Sequence, residues 1–419
     1  MKKSIEEFVS TIRAEPLVFT AGMCVLLLAV MGTSVRHVSS AMFTIVFLLG
    51  FSVIKDWKKL YRSLSNMEKI FLLSFLLYTI SGLLSFYNVD DSENFYKIFE
   101  RYLRFTMIVP VYLLLISKNR SLLNYLVLGA VISGPFMFAV ALQHYLQYPD
   151  VPAKGYYHHI IFGQLAMLNV GIMLASILTR KQTRQVQILI LMCMLCGIAT
   201  AVLSQARGVW LVFPVYLIVA FIYAFKEKRI NTLHSVMFLA VIVLLAIFTP
   251  IGHLIQQRTA EGITEINRFY TQDQYVSSVG TRLAMWDIAI DVWEQHPVLG
   301  TGPGDFDDEV MALQRKGDYQ GMDVHNSVHN IYIQALVGSG LIGLLALILV
   351  LLIAPLRLFF DQVNKDEAGR LAGIITIISF AIYGLSESWT LRLPAISIFL
   401  VYIVIIASHL KTVGSKKSN

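Results

Sequence analysis

The chain has 419 residues, 56% of them hydrophobic and only 15% charged, with a mean hydropathy of +0.65. These values lie well outside the range of a soluble globular domain and predict an all-α, polytopic integral membrane protein. The formal charge of +7 arises mostly from lysines flanking the apolar runs, so it reports topology and contact with membrane lipids; no nucleic-acid partner is expected.

The apolar runs predict about twelve membrane spans, near 16–33, 37–54, 69–86, 101–117, 121–144, 158–179, 186–204, 207–225, 234–252, 330–354, 369–386 and 393–409. The first follows a mixed-charge start without a small-x-small cleavage pattern, so it reads as a retained anchor. Cys24, Cys193 and Cys196 all fall inside spans, where a thiol behaves as a small buried hydrophobe.

An even span count puts both termini on one side, which collects 22 of the 34 basic residues, 14 of them lysine. That side reads as cytoplasmic. On the translocated side stand Arg36, Lys97, Arg101, Arg104, Lys154, Arg207, Arg258, Arg268, Arg282, Arg315, Lys316 and Arg392, nine arginines against three lysines. A guanidinium grips phosphate with a two-pronged fork where an ammonium offers a point charge, so this face predicts a phosphorylated ligand.

Three parts follow: 1–252 with spans one to nine, a large partly helical translocated loop over 253–328, and 329–419 with spans ten to twelve and a cytoplasmic tail. A loop of that length on a multispan scaffold is expected to be functional. Within it Thr281 to Gln295 patterns as a helix, with Leu283, Trp286, Ile290 and Trp293 on one stripe. Gly300, Gly302, Pro303 and Gly304 punctuate the stretch that follows. The loop carries twelve acids against five basic residues, so any anion-binding arginine must be picked out by position.

Arg207 sits in a minimal turn between spans seven and eight, where charge at membrane depth is costly and functional unless it snorkels to headgroups. Arg282 opens the Trp-rich helix; free N–H groups there would reinforce its grip on an anion, the rival being an ion pair with Asp287. Arg258, just beyond span nine, could reach the same place or contact headgroups. His329 is expected at the N-terminus of span ten, where the helix dipole disfavours protonation and leaves the imidazole able to act as a base. His325 lies four residues earlier, so a metal pair or simple helix capping are alternatives. Gly338-Ser339-Gly340-Leu341-Ile342-Gly343 spells GxGxxG inside a membrane helix, a context that fits close packing rather than a nucleotide.

Four runs in order resemble the bacterial O-antigen ligase family, which shares a core with the O-antigen polymerases: Ser204 to Leu211, Gly280 to Trp286, His296 to Gly304 and His329 to Gly343. The resemblance implies transfer of a glycan from undecaprenyl diphosphate to the lipid A-core oligosaccharide at the periplasmic face of the bacterial inner membrane. It implies that Arg207 and Arg282, with Arg258 beside them, hold the lipid-linked diphosphate and that His329 activates the acceptor hydroxyl. This chain departs from the pattern in having two His-Asn pairs, His325-Asn326 and His329-Asn330, which leaves open which histidine is the base.

The residue inventory suits that chemistry on its own terms. A diphosphate leaves as a stable anion, so the reaction needs a clamp for negative charge and a base for a sugar hydroxyl, not the two carboxylates of a glycoside hydrolase. No metal or other cofactor is expected, and a single in-line displacement inverts the anomeric centre. The rivals are an O-antigen polymerase or a protein O-oligosaccharyltransferase of the same build and, from another class, a twelve-span transporter or flippase. A transporter would favour two related halves with charges at mid-membrane, whereas here the halves look dissimilar and the charges gather at one surface.

Overall fold

A computed structural model describes residues 15–89, 92–226, 250–272, 277–317, 327–361 and 366–418, and every regular element among them is helical. The chain order begins α1 (Pro16–Met31), α2 (Val38–Gly50), α3 (Trp57–Arg62), α4 (Asn66–Leu84), α5 (Ser92–Thr106), α6 (Ile108–Ser117), α7 (Leu123–Gln147), α8 (His159–Thr179) and α9 (Arg184–Leu203). It continues with α10 (Arg207–Trp210), α11 (Val212–Lys226), α12 (Pro250–Gln272), α13 (Ser278–Gln295), α14 (Phe306–Lys316), α15 (Ile331–Ile348), α16 (Ala354–Phe360), α17 (Glu367–Tyr383) and α18 (Leu393–Ser418).

Eight helical stretches among the described residues are long and apolar enough to cross a bilayer, and the protein is a polytopic helical membrane protein. The expected span at 101–117 takes a different form. The chain forms the amphipathic α5, then restarts at Ile108 as a ten-residue apolar helix that by itself reaches only ~15 Å. Glu93, Lys97, Glu100, Arg101 and Arg104 give α5 a charged face that no bilayer core would solvate, which is why it is not the first half of a span. α1 and α17 are apolar but, at 16 and 17 residues, shorter than the rest. Most of the expected ninth span lies outside the described residues.

Burial within the bundle identifies its centre. The apolar window of α18 is 94% buried by protein and that of α8 83%, against 17% for the stretch Arg207–Lys226, so α18 and α8 form the axis and α11 the periphery. Apolar contact alone discriminates poorly between helix pairings in lipid, so polar side chains set the register. Asn169 of α8 donates to Ala29 O at 2.9 Å and to Ser133 Oγ at 2.8 Å, and its Oδ1 accepts from Tyr402 of α18. Tyr383 donates to Gln164 O at 3.1 Å, tying α17 to α8.

The two ends of the bundle differ in chemistry. At one, Lys411 pairs with Glu68 at 2.8 Å, His409 with Asp366 at 2.8 Å and Arg120 with Glu15 at 3.0 Å. At the other, the turns between helices bond to one another. Tyr156 and Tyr157 donate backbone N–H groups to Ser34 and Thr33 O, Ala153 to Leu203 O, and Ile331 to Gly384 O at 2.8 Å. His159 Nδ1 reaches Ser204 O at 2.7 Å, and Asn88 donates to Gly300 O at 2.7 Å. Arg207, Arg282 and His329 lie at this second end.

Helices α13 and α14 build most of a second small core, with Ala284, Met285, Ile288, Val292, Phe306 and Val310 joined by Phe269 of α12 and Val337 of α15. The buried stripe of α13 is therefore rotated from the expected one: Leu283, Trp286 and Trp293 are only partly buried against it, and Ile290 is 37% exposed. The reason is that α13 packs on α12, α14 and α15 at once, so its large aromatics border the cluster while smaller residues fill it.

Candidate active site

His329 is held from four directions. Trp286 of α13 donates Nε1–H to Val328 O at 2.9 Å, and Gln334 of α15 accepts from Val328 N at 3.1 Å. The Ile331 N–H anchors the following residue to the end of α17, and Asn330 caps α15 by accepting from the N–H groups of Tyr332 and Ile333. Asn330, not His329, is thus the capping residue, and His329 stands one position outside the helix with φ of 51°. A non-glycine residue in that left-handed region costs free energy and persists only where its surroundings over-determine it.

What fixes the imidazole is a carboxylate that the sequence reading passed over. Glu387, 1% exposed, receives His329 Nδ1 at 3.3 Å on Oε2 and Arg392 Nε at 3.2 Å on Oε1. Burial pushes the Glu387 carboxyl up, but the hydrogen bond from His329 and the charge of Arg392 outweigh it and hold the carboxyl at about 2. An ionised acid on Nδ1 selects the tautomer with its proton there, so the basic lone pair belongs to Nε2. The pairing fixes the orientation of the ring.

The turn that carries Glu387 is locked to the same elements. Ser388 donates to Gln334 Oε1 at 3.5 Å, so one glutamine holds the histidine segment and the glutamate segment together. Trp389 is buried and donates Nε1–H to Phe380 O at 2.9 Å. The signal for Glu387 was available: Ser386-Glu387-Ser388 places a lone acid in a short turn between two apolar runs, where an ionisable group needs a partner.

Arg282 sits one turn before Trp286 on α13, on the same face, so the bond from Trp286 to Val328 O carries its guanidinium toward the histidine. Burial lowers its pKa, the carboxylate of Glu387 acts to raise it and the charge of Arg207 lowers it further, so all three groups share one field. Among the described residues Arg282 forms no ion pair with Asp287, the rival reading of its position. At the helix start Ser277 Oγ takes Gly280 N at 2.9 Å, Glu265 takes Val279 N at 3.0 Å and Ser277 O takes Thr281 N at 2.8 Å, so these N–H groups are already bonded within the protein.

Arg207 opens α10 after a tight turn in which Gln205 adopts φ of 52°. Its neighbour Gly208 lies so close to Ser386 that a Cβ there would run into the serine side chain, which sets the exposed Arg207 beside the Glu387 turn. His158, at the start of α8, completes the ring of titratable groups; desolvation and the neighbouring His159 push it down to about 4, with Glu387, Arg392 and His329 also acting on it. Arg258 lies on α12 in a stretch whose side chains are outside the description, and His325 lies outside the described residues.

The glycine-rich run has its own geometry. Gly340 breaks α15 with φ of 63° and ψ of −161°, and the loop from Pro297 crosses the break, with Leu341 N donating to Pro297 O at 2.9 Å and Thr301 N to Val337 O at 2.9 Å. The small residues admit a loop rather than a second helix. That loop ties α13 and α14 to the bundle.

Residues 189–348, which include Arg207, Arg282 and His329 but not Glu387, match the family model described as O-antigen ligase. This segment is similar to the O-antigen ligase family. Two similar proteins extend the comparison. An uncharacterized protein of Haemophilus influenzae is 26% identical over 343 residues, covering 78% of this chain and 82% of its own length. An O-antigen ligase of Escherichia coli K12 is 25% identical over 214 residues, 49% of this chain and 48% of that protein.

Proposed function

We propose that the protein is an O-antigen ligase, moving a glycan from undecaprenyl diphosphate onto a sugar hydroxyl of the lipid A-core oligosaccharide. The observation that carries this reading is the His329–Glu387 pair, whose carboxylate shares one electrostatic field with Arg282 and Arg207. The acceptor hydroxyl would sit at Nε2 of His329 and give up its proton there as its oxygen forms a bond to the anomeric carbon. The bond from that carbon to the diphosphate breaks in the same step, inverting the centre. Undecaprenyl diphosphate leaves with the electron pair, and two guanidiniums oppose the charge that grows on it. They supply the countercharge that a divalent cation supplies elsewhere, so the reaction is metal-independent.

The concentration of lysine at the opposite end supports an orientation with that end cytoplasmic and the site periplasmic. Both termini are then cytoplasmic, in the bacterial inner membrane. Arg258 is assigned to the donor site, with His325 as the alternative catalytic histidine to His329. The test uses purified full-length protein in detergent with lipid-linked O-antigen and lipid A-core acceptor. Ligated lipopolysaccharide formed in the presence of a chelator supports the reading. A lengthened lipid-linked polymer without ligated product indicates a polymerase instead.

A further inference from the structure

Glu387 uses both carboxylate oxygens: Oε2 takes His329 and Oε1 takes Arg392, so Arg392 binds the edge of the carboxylate that the imidazole leaves. Only Nε of Arg392 is committed to a protein partner among the described residues, and the side chain is 40% exposed. The amphipathic α5 runs past it. Arg104 donates from Nη1 to Ser397 Oγ of α18 and to Ser40 Oγ of α2, each at 3.4 Å, which fixes the register of α5 against the start of α18. One turn earlier on the same face comes Arg101, and α5 also packs on the short helix Trp389–Leu391 that precedes Arg392.

Arg101 is partly buried, and no acid is bonded to it among the described residues. Burial and then the charge of Arg392 push its guanidinium below the usual range, with Glu100 opposing. Two guanidiniums brought together in a partly desolvated place repel each other, and a bound anion relieves the repulsion. The position suits an amphiphile's phosphate, because Tyr96 and Leu103 leave α5 with 61% and 42% exposed apolar side chains beside its charges, as on a helix lying at headgroup depth.

Resting on the glycosyl-transfer reading above, we propose that Arg101 and Arg392 bind a phosphate group of the acceptor glycolipid. Transfer brings two anionic amphiphiles to one imidazole, and the carboxylate bonded to that imidazole acts on Arg282 and bonds Arg392, one arginine from each of two pairs. A single diphosphate bridging both pairs would lie in the repulsive field of Glu387. Each pair therefore serves a different substrate.

The test reads binding without turnover, in full-length protein in micelles with no donor present. Lipid A-core acceptor, intact or with its phosphates removed, is titrated into the wild type, Arg101→Gln and Arg101→Lys. Removing the phosphates should weaken binding to the wild type about tenfold; Arg101→Gln should weaken binding of the intact acceptor by the same factor and of the stripped acceptor no further, with Arg101→Lys recovering part of the loss. Equal losses for both forms of acceptor, a loss in donor affinity instead, or full competition by phosphatidylglycerol would overturn the proposal. A wild type that binds acceptor with this phosphate dependence yet makes no ligated product would count against the transfer reading alone.

Discussion

The Nδ1 atom of His329 lies 3.3 Å from Oε2 of Glu387, a carboxylate carried by a different turn and 1% exposed. Such a pair orients an imidazole and stabilises the cation formed when the ring takes a proton. Glu387→Gln should therefore lower kcat by roughly 10²–10³-fold with donor KM little changed, because a general base at the wrong tautomer loses most of its rate factor. Steady-state rates at saturating donor check this. A large rise in donor KM at constant kcat would instead make Glu387 part of the donor site.

The low pKa of Glu387 has a stability consequence with a definite sign. Its carboxyl sits at about 2 in the folded protein against an ordinary 4.5, so the folded state favours the ionised form. The stabilisation is fully present above about pH 5 and is lost as pH falls through the folded value, and it amounts to roughly 3 kcal/mol. Unfolding measured in detergent from pH 7 to pH 3 should show the wild type losing stability relative to Glu387→Gln. Parallel curves would mean that the carboxylate is not ionised in the folded state.

Arg207→Ala and Arg282→Ala should each raise donor KM by roughly 10–100-fold, since each removes a charge-assisted contact to phosphate. Lysine at either position should recover only part of the loss, because the bidentate geometry does not return. Chelation of divalent cations should leave wild-type turnover unchanged. Turnover that requires added magnesium would remove the arginines from their assigned role as sole countercharge.

Gly208 packs on Ser386 with no room for a side chain. Gly208→Val should push the Glu387 turn away from α10, costing on the order of 1–3 kcal/mol of stability and lowering kcat more than donor affinity. Thermal unfolding and steady-state kinetics on the same preparation separate the two effects. Unchanged kcat would show that Arg207 and Glu387 need not be held together.

The parts of this arrangement differ in how plainly the sequence announced them. The long spans were legible because twenty apolar residues have few other fates, and α13 because its period is helical. The span expected at 101–117 begins within α5, because the apolar run from Ile108 obscures where the charged helix before it ends. Arg207, Arg282 and His329 could be picked out one at a time by local context, and the family resemblance grouped them. Glu387 and Arg392 could not be joined to them that way: the bonds that bring their turn to His329 and Gln334 span 58 and 54 positions of chain, and no periodicity encodes such a contact. Only the oddity of a lone acid in a short apolar turn pointed to it.

The central claim is that the His329 imidazole takes the proton of the acceptor hydroxyl, and the most direct measurement is single-turnover transfer by His329→Ala in purified full-length protein with both substrates saturating. Transfer slowed by roughly 10²–10⁴-fold, with donor binding and thermal stability close to wild type, is the predicted result. Transfer at the wild-type rate would contradict it.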